Sequence, residues 1–167
     1  MDVICGLTEK YNIPPEWLQL ELTESAYTGN PKAIKEMMEQ LQKKGFSILM
    51  DDFGSGYSSL NVLKDIAVDV LKIDMKFLDG SGDDGRSENI LASVVRMAKW
   101  LNMPVVAEGA ERKEQVSFLH SIGCEYVQGY YFARPMPVKE YEKLLYEQPY
   151  FEDDETRRTS NAFVSFD

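Results

Sequence analysis

Carboxylates, one lysine and one glutamine recur near the ends of short apolar runs in this 167-residue chain. Residues two apart in a strand share a face. In Leu18-Gln19-Leu20-Glu21-Leu22 that rule sets Glu21 with Gln19, opposite the leucines. It sets Asp51 with Ser47 and Leu49, and Lys72 with Val70 and Asp74. Glu108 falls with Val106, and Gln128 with Tyr126. If those faces all look inward, Glu21, Asp51, Lys72, Glu108 and Gln128 converge at one mouth, where parallel α/β folds keep their ligand sites.

Isolated buried carboxylates are costly, so a cluster of them normally holds cations. Donors that are all oxygen suit Mg²⁺ or Mn²⁺ better than zinc. A single histidine, His120, excludes most histidine-rich zinc sites and argues against a serine–histidine triad. Two hard cations roughly 3.5–4 Å apart can activate water and stabilise a phosphodiester transition state. Asp51 and Asp52 point to different faces of a regular strand, but a turn after Asp51 can bring the second carboxylate round to a neighbouring cation. Taken singly, each polar strand end is equally well explained as a helix N-cap or turn former. Five in succession on one inferred face are harder to dismiss.

The elements that must carry these residues alternate between helix and strand. Helical segments are expected over residues 2–11, 31–44, 58–64, 88–101 and 113–122, and strands over 17–22, 46–50, 69–73, 104–107 and 126–128. One more strand is expected near 130–132, and a flexible loop over 80–85. Gly45 and Gly123 sit where helix stops belong, and Asn12-Ile13-Pro14-Pro15 breaks the first helix. Strands joined by helical crossovers imply a mostly parallel sheet and an α/β class. A doubly wound sheet and a barrel both fit that alternation; a closed (β/α)8 barrel needs eight strands, more than the pattern supplies.

Composition narrows the partners. Apolar residues at 44% and charged residues at 28% describe a globular chain. A net charge of −10 argues against broad electrostatic binding of DNA, RNA or an anionic membrane, while small anions remain compatible if bound cations neutralise the carboxylates. No apolar run is long enough to span a bilayer and the start is unlike a signal peptide, so cytoplasmic residence is the expectation. Cys5 and Cys124 read as small apolar residues. Residues 1–148 form the expected domain; 149–167, with the run Glu152-Asp153-Asp154-Glu155, are expected to be an acidic, poorly ordered tail.

Five segments then resemble, in order, the motifs of the EAL domain family. They are Glu21-Leu22-Thr23-Glu24-Ser25, Asp51-Asp52-Phe53-Gly54-Ser55-Gly56-Tyr57-Ser58-Ser59-Leu60, Leu71-Lys72-Ile73-Asp74, Val106-Ala107-Glu108-Gly109-Ala110-Glu111 and Val127-Gln128-Gly129-Tyr130. The resemblance implies a TIM-like barrel with outer helices that hydrolyses cyclic di-GMP to the linear dinucleotide pGpG with Mg²⁺ or Mn²⁺. It implies that Glu21 and Asp51 are metal ligands and that Asp52 serves the second metal. Lys72 would hold the attacking water or the phosphate, unless it is a structural ion-pair partner of those carboxylates. Glu108 would act as general base or as a second-metal ligand, and Gln128 would support the water and metal shell. Glu24 is similar to the glutamate that anchors the loop after the double aspartate, a loop the family uses for metal binding and dimerisation. Glu111 is similar to a supporting glutamate, and equally reads as a helix N-terminal acid.

Ser55 and Ala110 replace the common threonine and valine without removing a ligand. The Glu-Ala-Leu segment that names the family, and an Asn-Leu-Ser-like segment, have no counterpart in these residues. The resemblance is thus to the C-terminal portion of the domain, an incomplete barrel, and residues 1–167 alone are expected to turn over little or no cyclic di-GMP. Exposed strand edges are expected to favour self-association. A non-catalytic cyclic di-GMP receptor or dimerisation module is the alternative function.

Overall fold

The computed structural model describes residues 2–54, 63–65, 67–75 and 85–147, together with the backbone of 159–160 and 163–165. Strands and helices alternate along the chain, which is α/β as its sequence predicts. Two compact units divide it, Met1–Lys72 and Ile73–Asp167.

In the first unit, helix α1 (Asp2–Tyr11) leads to β1 (Gln19–Thr23), α2 (Glu24–Gly29), α3 (Pro31–Lys43) and β2 (Ser47–Asp51). Strand β3 (Val70–Asp74) ends this unit with its first three residues and begins the second with its last two. The strand expected from residue 17 starts later, because a 3-10 turn occupies Pro15–Trp17. Proline holds φ near the value such a turn needs, and the Trp17 and Leu18 N–H groups donate to the Pro14 and Pro15 carbonyls at 3.0 Å each.

Strand β1 runs parallel to β2 with Glu21 opposite Leu49 and Thr23 opposite Asp51. Strand β2 runs parallel to β3 with Leu49 opposite Val70 and Met50 opposite Leu71. Ile48, Leu49 and Met50 are all buried, the signature of a parallel strand covered on both faces. Met38 and Leu41 of α3, Tyr27 of α2 and Phe46 join them in the core. Asp69 fixes the approach to β3. Its Oδ2 accepts from the Ile48 N–H at 2.7 Å and from Gln42 Nε2 at 3.0 Å, while its own N–H donates to the Ile48 carbonyl at 2.8 Å.

In the second unit, α4 (Arg86–Trp100) precedes β4 (Val105–Glu108), α5 (Lys113–Ser121), β5 (Tyr126–Gln128) and α6 (Val138–Glu147). Strands β4 and β5 are parallel, with Val106 opposite Tyr126 and Glu108 opposite Gln128. Leu91, Val95 and Ala98 of α4 and Val116 and Leu119 of α5 are buried, as are Val105, Ala107 and Val127. Two short strands follow, β6 (Thr159–Ser160) and β7 (Phe163–Ser165), antiparallel to each other; β7 is also antiparallel to β5.

One device ends four helices. Asn12, Gly45, Asn102 and Gly123 follow α1, α3, α4 and α5, all with φ between 52° and 95°. The next residue's N–H reaches back to the helix: Ile13 to Thr8 at 2.9 Å, Phe46 to Leu41 at 3.2 Å, Met103 to Ala98 at 3.0 Å and Cys124 to Leu119 at 3.0 Å. This is the Schellman closure, and it turns the chain out of each helix toward the strand that follows. Asparagine does at two exits what glycine does at the others, so only half of these stops stand out as glycines.

Several expectations need correction or fall elsewhere. The strand expected near 130–132 is a turn, in which the Phe132 and Ala133 N–H groups donate to the Gly129 carbonyl at 3.1 and 3.4 Å. Most of the helix expected over 58–64 lies outside the described residues, although 63–65 are helical. The loop expected over 80–85 lies outside them except for Gly85. Both cysteines are buried. Burial pushes the Cys124 thiol up to about 11, against the weaker opposing effect of backbone hydrogen bonds, so it stays a neutral, small core residue. Among the described residues no helix is long and apolar enough to cross a membrane.

Candidate functional site

The three adjacent strands of the first unit bring Glu21, Asp51 and Lys72 together. Lys72 is buried at 6% exposure, and burying an ammonium is costly unless opposite charge accompanies it. Its Nζ donates to Glu21 Oε1 and stands 3.4 Å from Asp51 Oδ1. The carboxylates are more open, with side-chain exposures of 50% for Glu21 and 21% for Asp51. The lysine is thus the enclosed member, and the carboxylates face outward from it. Their oxygen atoms are of the type a hard divalent cation takes, and Glu21 has solvent-facing surface on which to take one. Among the described residues no group of three or more His, Cys, Asp or Glu side chains is disposed to hold a metal ion.

Directly after β2 the chain turns through Asp52, whose φ of 55° is left-handed and uncommon outside glycine. Phe53 is buried, and its N–H donates to the Lys72 carbonyl at 3.2 Å; Gly54 continues at φ 96°. The Asp-Asp-Phe-Gly run is therefore pinned to β3 at its third residue. Its second carboxylate is turned off the strand and exposed. The loop beyond, with its expected dimerisation role, lies outside the described residues.

Glu24 opens α2, for which Thr23 is the N-cap, its Oγ1 accepting from the Ala26 N–H at 3.4 Å. At 4% exposure Glu24 is, with Lys72, one of two charged residues buried among those described. A charged side chain is rarely enclosed without a partner, which fits an anchoring role. The loop it would anchor lies outside the described residues.

In the second unit Glu108 and Gln128 stand opposite each other at the ends of β4 and β5, both half-buried. The segments leaving those strands interlock. The Ala110 N–H donates to the Gln128 carbonyl at 3.2 Å, and the Tyr131 N–H donates to the Ala110 carbonyl at 3.0 Å. Gly129 is what permits the crossing: a Cβ there would lie 2.0 Å from the Ala110 oxygen and 2.4 Å from its nitrogen. Gly109, at φ 83°, stands beside Asp74, where an added Cβ would lie 3.5 Å from Oδ1. Glu111 is exposed just before α5, and its N–H donates to Gln115 Oε1 at 2.8 Å.

Sequence reasoning named the acids and missed what sets them. The Gly129–Ala110 crossing went unnoticed although Gly129 follows a singled-out glutamine. Also missed was a cleft of about 280 Å³ beside Gln128, lined by Tyr130, Phe132, Arg134, Tyr141 and Leu144 among others. In it the Arg134 guanidinium lies 4.7 Å from the centre of the Tyr130 ring.

The chain as a whole is similar to known proteins. The cyclic di-GMP phosphodiesterase NbdA of Pseudomonas aeruginosa is 37% identical over 145 residues, covering 87% of this chain and 18% of that protein. The solved PaMucR phosphodiesterase in complex with c-di-GMP is 36% identical with a TM-score of 0.77, over 84% of this chain and 57% of that one. The manganese and cy-diGMP complex of Klebsiella pneumoniae BlrP1 is 31% identical with a TM-score of 0.73, over 80% of this chain and 35% of that one. The chain spans about a fifth of the length of the first curated relatives it matches. Residues 1–135 match the EAL domain, the TIM-barrel-like class that the motif order implied. The ordered motifs, the strand ends that carry them and these likenesses agree: the chain belongs to the EAL domain family.

Proposed function

We propose that this chain carries part of the active site of a cyclic di-GMP phosphodiesterase, which adds water across one phosphodiester bond of the ring to give linear pGpG. The observation that carries the reading is the buried Lys72 ammonium held against Glu21 and Asp51, a cation and two carboxylates on three adjacent strands. Mg²⁺ or Mn²⁺ held by Glu21 and Asp51, with a second ion served by Asp52, would supply Lewis-acid activation of water and neutralise phosphate charge.

The chain's own residues have separable duties in this reading. Lys72 orients the two carboxylates and offers its ammonium to a phosphate oxygen or the attacking water. Glu108 takes a proton from that water or ligates the second ion. Gln128, opposite Glu108 in the strand register, donates or accepts a hydrogen bond in the water and ligand shell. Glu24 and Glu111 support the loops after β2 and β4, and the loop after Asp52 serves pairing of two copies. Because no group of three or more His, Cys, Asp or Glu side chains among the described residues is disposed to hold a metal ion, residues 1–167 by themselves are expected to bind metal weakly and turn over little.

The test is hydrolysis of cyclic di-GMP with Mn²⁺ by residues 1–167 and by a longer protein that adds an upstream Glu-Ala-Leu segment, each beside Glu108→Gln. The longer protein should turn over and lose about 10²-fold or more on that substitution, the range of a missing general base. Turnover that survives Glu108→Gln would remove Glu108 from the mechanism. Absence of turnover in the longer protein would overturn the phosphodiesterase reading.

A further inference from the structure

The cleft of about 280 Å³ beside Gln128 lies between the segment that leaves β5 and helix α6. Pockets that enclose a drug-sized molecule start at about that size, so it has room for one ring system and not for a whole cyclic dinucleotide. Its walls carry three aromatic rings, Tyr130, Phe132 and Tyr141, and one cation, Arg134. Gln128, which also lines it, stands opposite Glu108 in the strand register. A ring held in the cleft therefore belongs to a molecule that reaches the strand ends where water is to be activated.

The cation is set for planar recognition. Its guanidinium stands 4.7 Å from the centre of the Tyr130 ring, within stacking range. A guanidinium that gives its face to an aromatic ring keeps its fork of N–H donors in its own plane. Two adjacent acceptors on one rigid edge match that fork. Guanine presents such a pair, O6 and N7, whereas adenine sets an N6 donor beside N7. A purine also has the flat face that aromatic side chains take, and Tyr130 keeps half of its surface exposed. We propose that this cleft is a guanine subsite, in which Arg134 donates to O6 and N7 and the aromatic walls stack on the base. The choice of guanine rests on the cyclic di-GMP reading above; the rings, the guanidinium and the size of the cleft carry the rest.

Three nucleotides test it, titrated without metal into residues 1–167 and followed by saturation-transfer NMR of the ligand. GMP has both acceptors, 7-deaza-GMP lacks N7, and AMP puts a donor where O6 would be. The chain should bind GMP about tenfold more tightly than AMP, the scale of one bidentate contact, and several-fold more tightly than 7-deaza-GMP. Arg134→Ala should bring all three to nearly the same affinity, and Tyr130→Ala should weaken all three together. An arginine that only shapes the loop would leave the order of the three unchanged. No binding of GMP, equal binding of GMP and 7-deaza-GMP, or a preference that survives Arg134→Ala overturns the subsite. These titrations involve neither metal nor turnover, so they fail separately from the hydrolysis assay. A longer protein that hydrolyses cyclic di-GMP, beside titrations without a GMP preference, keeps the phosphodiesterase reading and strikes the subsite; the opposite pair of results does the reverse.

Discussion

Glu21, Asp51 and Lys72 in the first unit are held in place by one another's charge, whereas Glu108 and Gln128 in the second ride on strand ends held by backbone. Around Lys72 the contacts are ammonium to carboxylate, from side chains that begin on three different strands. Around Glu108 the fixed points are amide hydrogen bonds between the segments leaving β4 and β5, made possible by a glycine where no side chain fits. The first arrangement adds a charge contact to its strand pairing; the second adds a backbone crossing that a side chain at Gly129 would block. Under the proposed function, carboxylates held by charge could adjust as a cation arrives, while Glu108 would gain from a rigid carrier.

The most damaging test of the contrast is Gly129→Ala. One methyl group would sit 2.0 Å from a carbonyl oxygen of the main chain, and backbone cannot step aside as a flexible side chain can. The expected cost is about 3 kcal/mol or more, above the usual range for overpacking, read from the urea midpoint. A loss below about 1 kcal/mol would mean that the two loops are free to part. The same test at Gly6, where an added Cβ meets nothing within 4 Å, should be nearly neutral or stabilising, since alanine favours a helix interior.

Next in size is an asymmetry within the charged group. Lys72 is the enclosed member, so removing carboxylates from it should cost more than removing it from them. Glu21→Ala with Asp51→Ala is expected to cost on the order of 2–3 kcal/mol, and Lys72→Met about 1 kcal/mol, because the carboxylates left behind reach water. Paired urea titrations of the two variants decide it. A Lys72→Met variant that loses more would put the burial on the other side of the interaction and weaken the reading of Glu21 and Asp51 as open to a further cation.

The polar strand ends were legible because alternation is a local rule: Glu21, Asp51, Lys72, Glu108 and Gln128 could be set on faces from neighbours two residues away. The helix stops at Gly45 and Gly123 were legible for the same reason. What was not legible depends on segments far apart in sequence. Nothing local says that Gly129 must admit Ala110, that Asp69 reaches Ile48 and Gln42, or that the Phe53 amide finds the Lys72 carbonyl. Residues 130–132 misled because three aromatics mimic a strand, while the crossing at Ala110 forces a turn there.

The smallest effect separates backbone need from chemical need at Asp52. Three described residues other than glycine have a left-handed φ: Asn12, Asp52 and Asn102. Two of them end helices, where glycine or asparagine serves the backbone equally well. Asp52 follows β2 instead, with φ 55° against 52° and 54° at the asparagines, so its backbone has no more use for a carboxylate than theirs. Glycine at any of the three relieves the left-handed strain and raises unfolded-state entropy, effects that oppose each other and leave a net change within about 0.5 kcal/mol. Asp52→Gly should therefore leave the melting temperature within a few degrees, as should Asn12→Gly and Asn102→Gly. In the longer protein with Mn²⁺, Asp52→Gly should nevertheless remove most cyclic di-GMP hydrolysis, and the two asparagine variants should remove none. Full activity in Asp52→Gly would reduce Asp52 to a turn former and overturn its proposed service to a second cation.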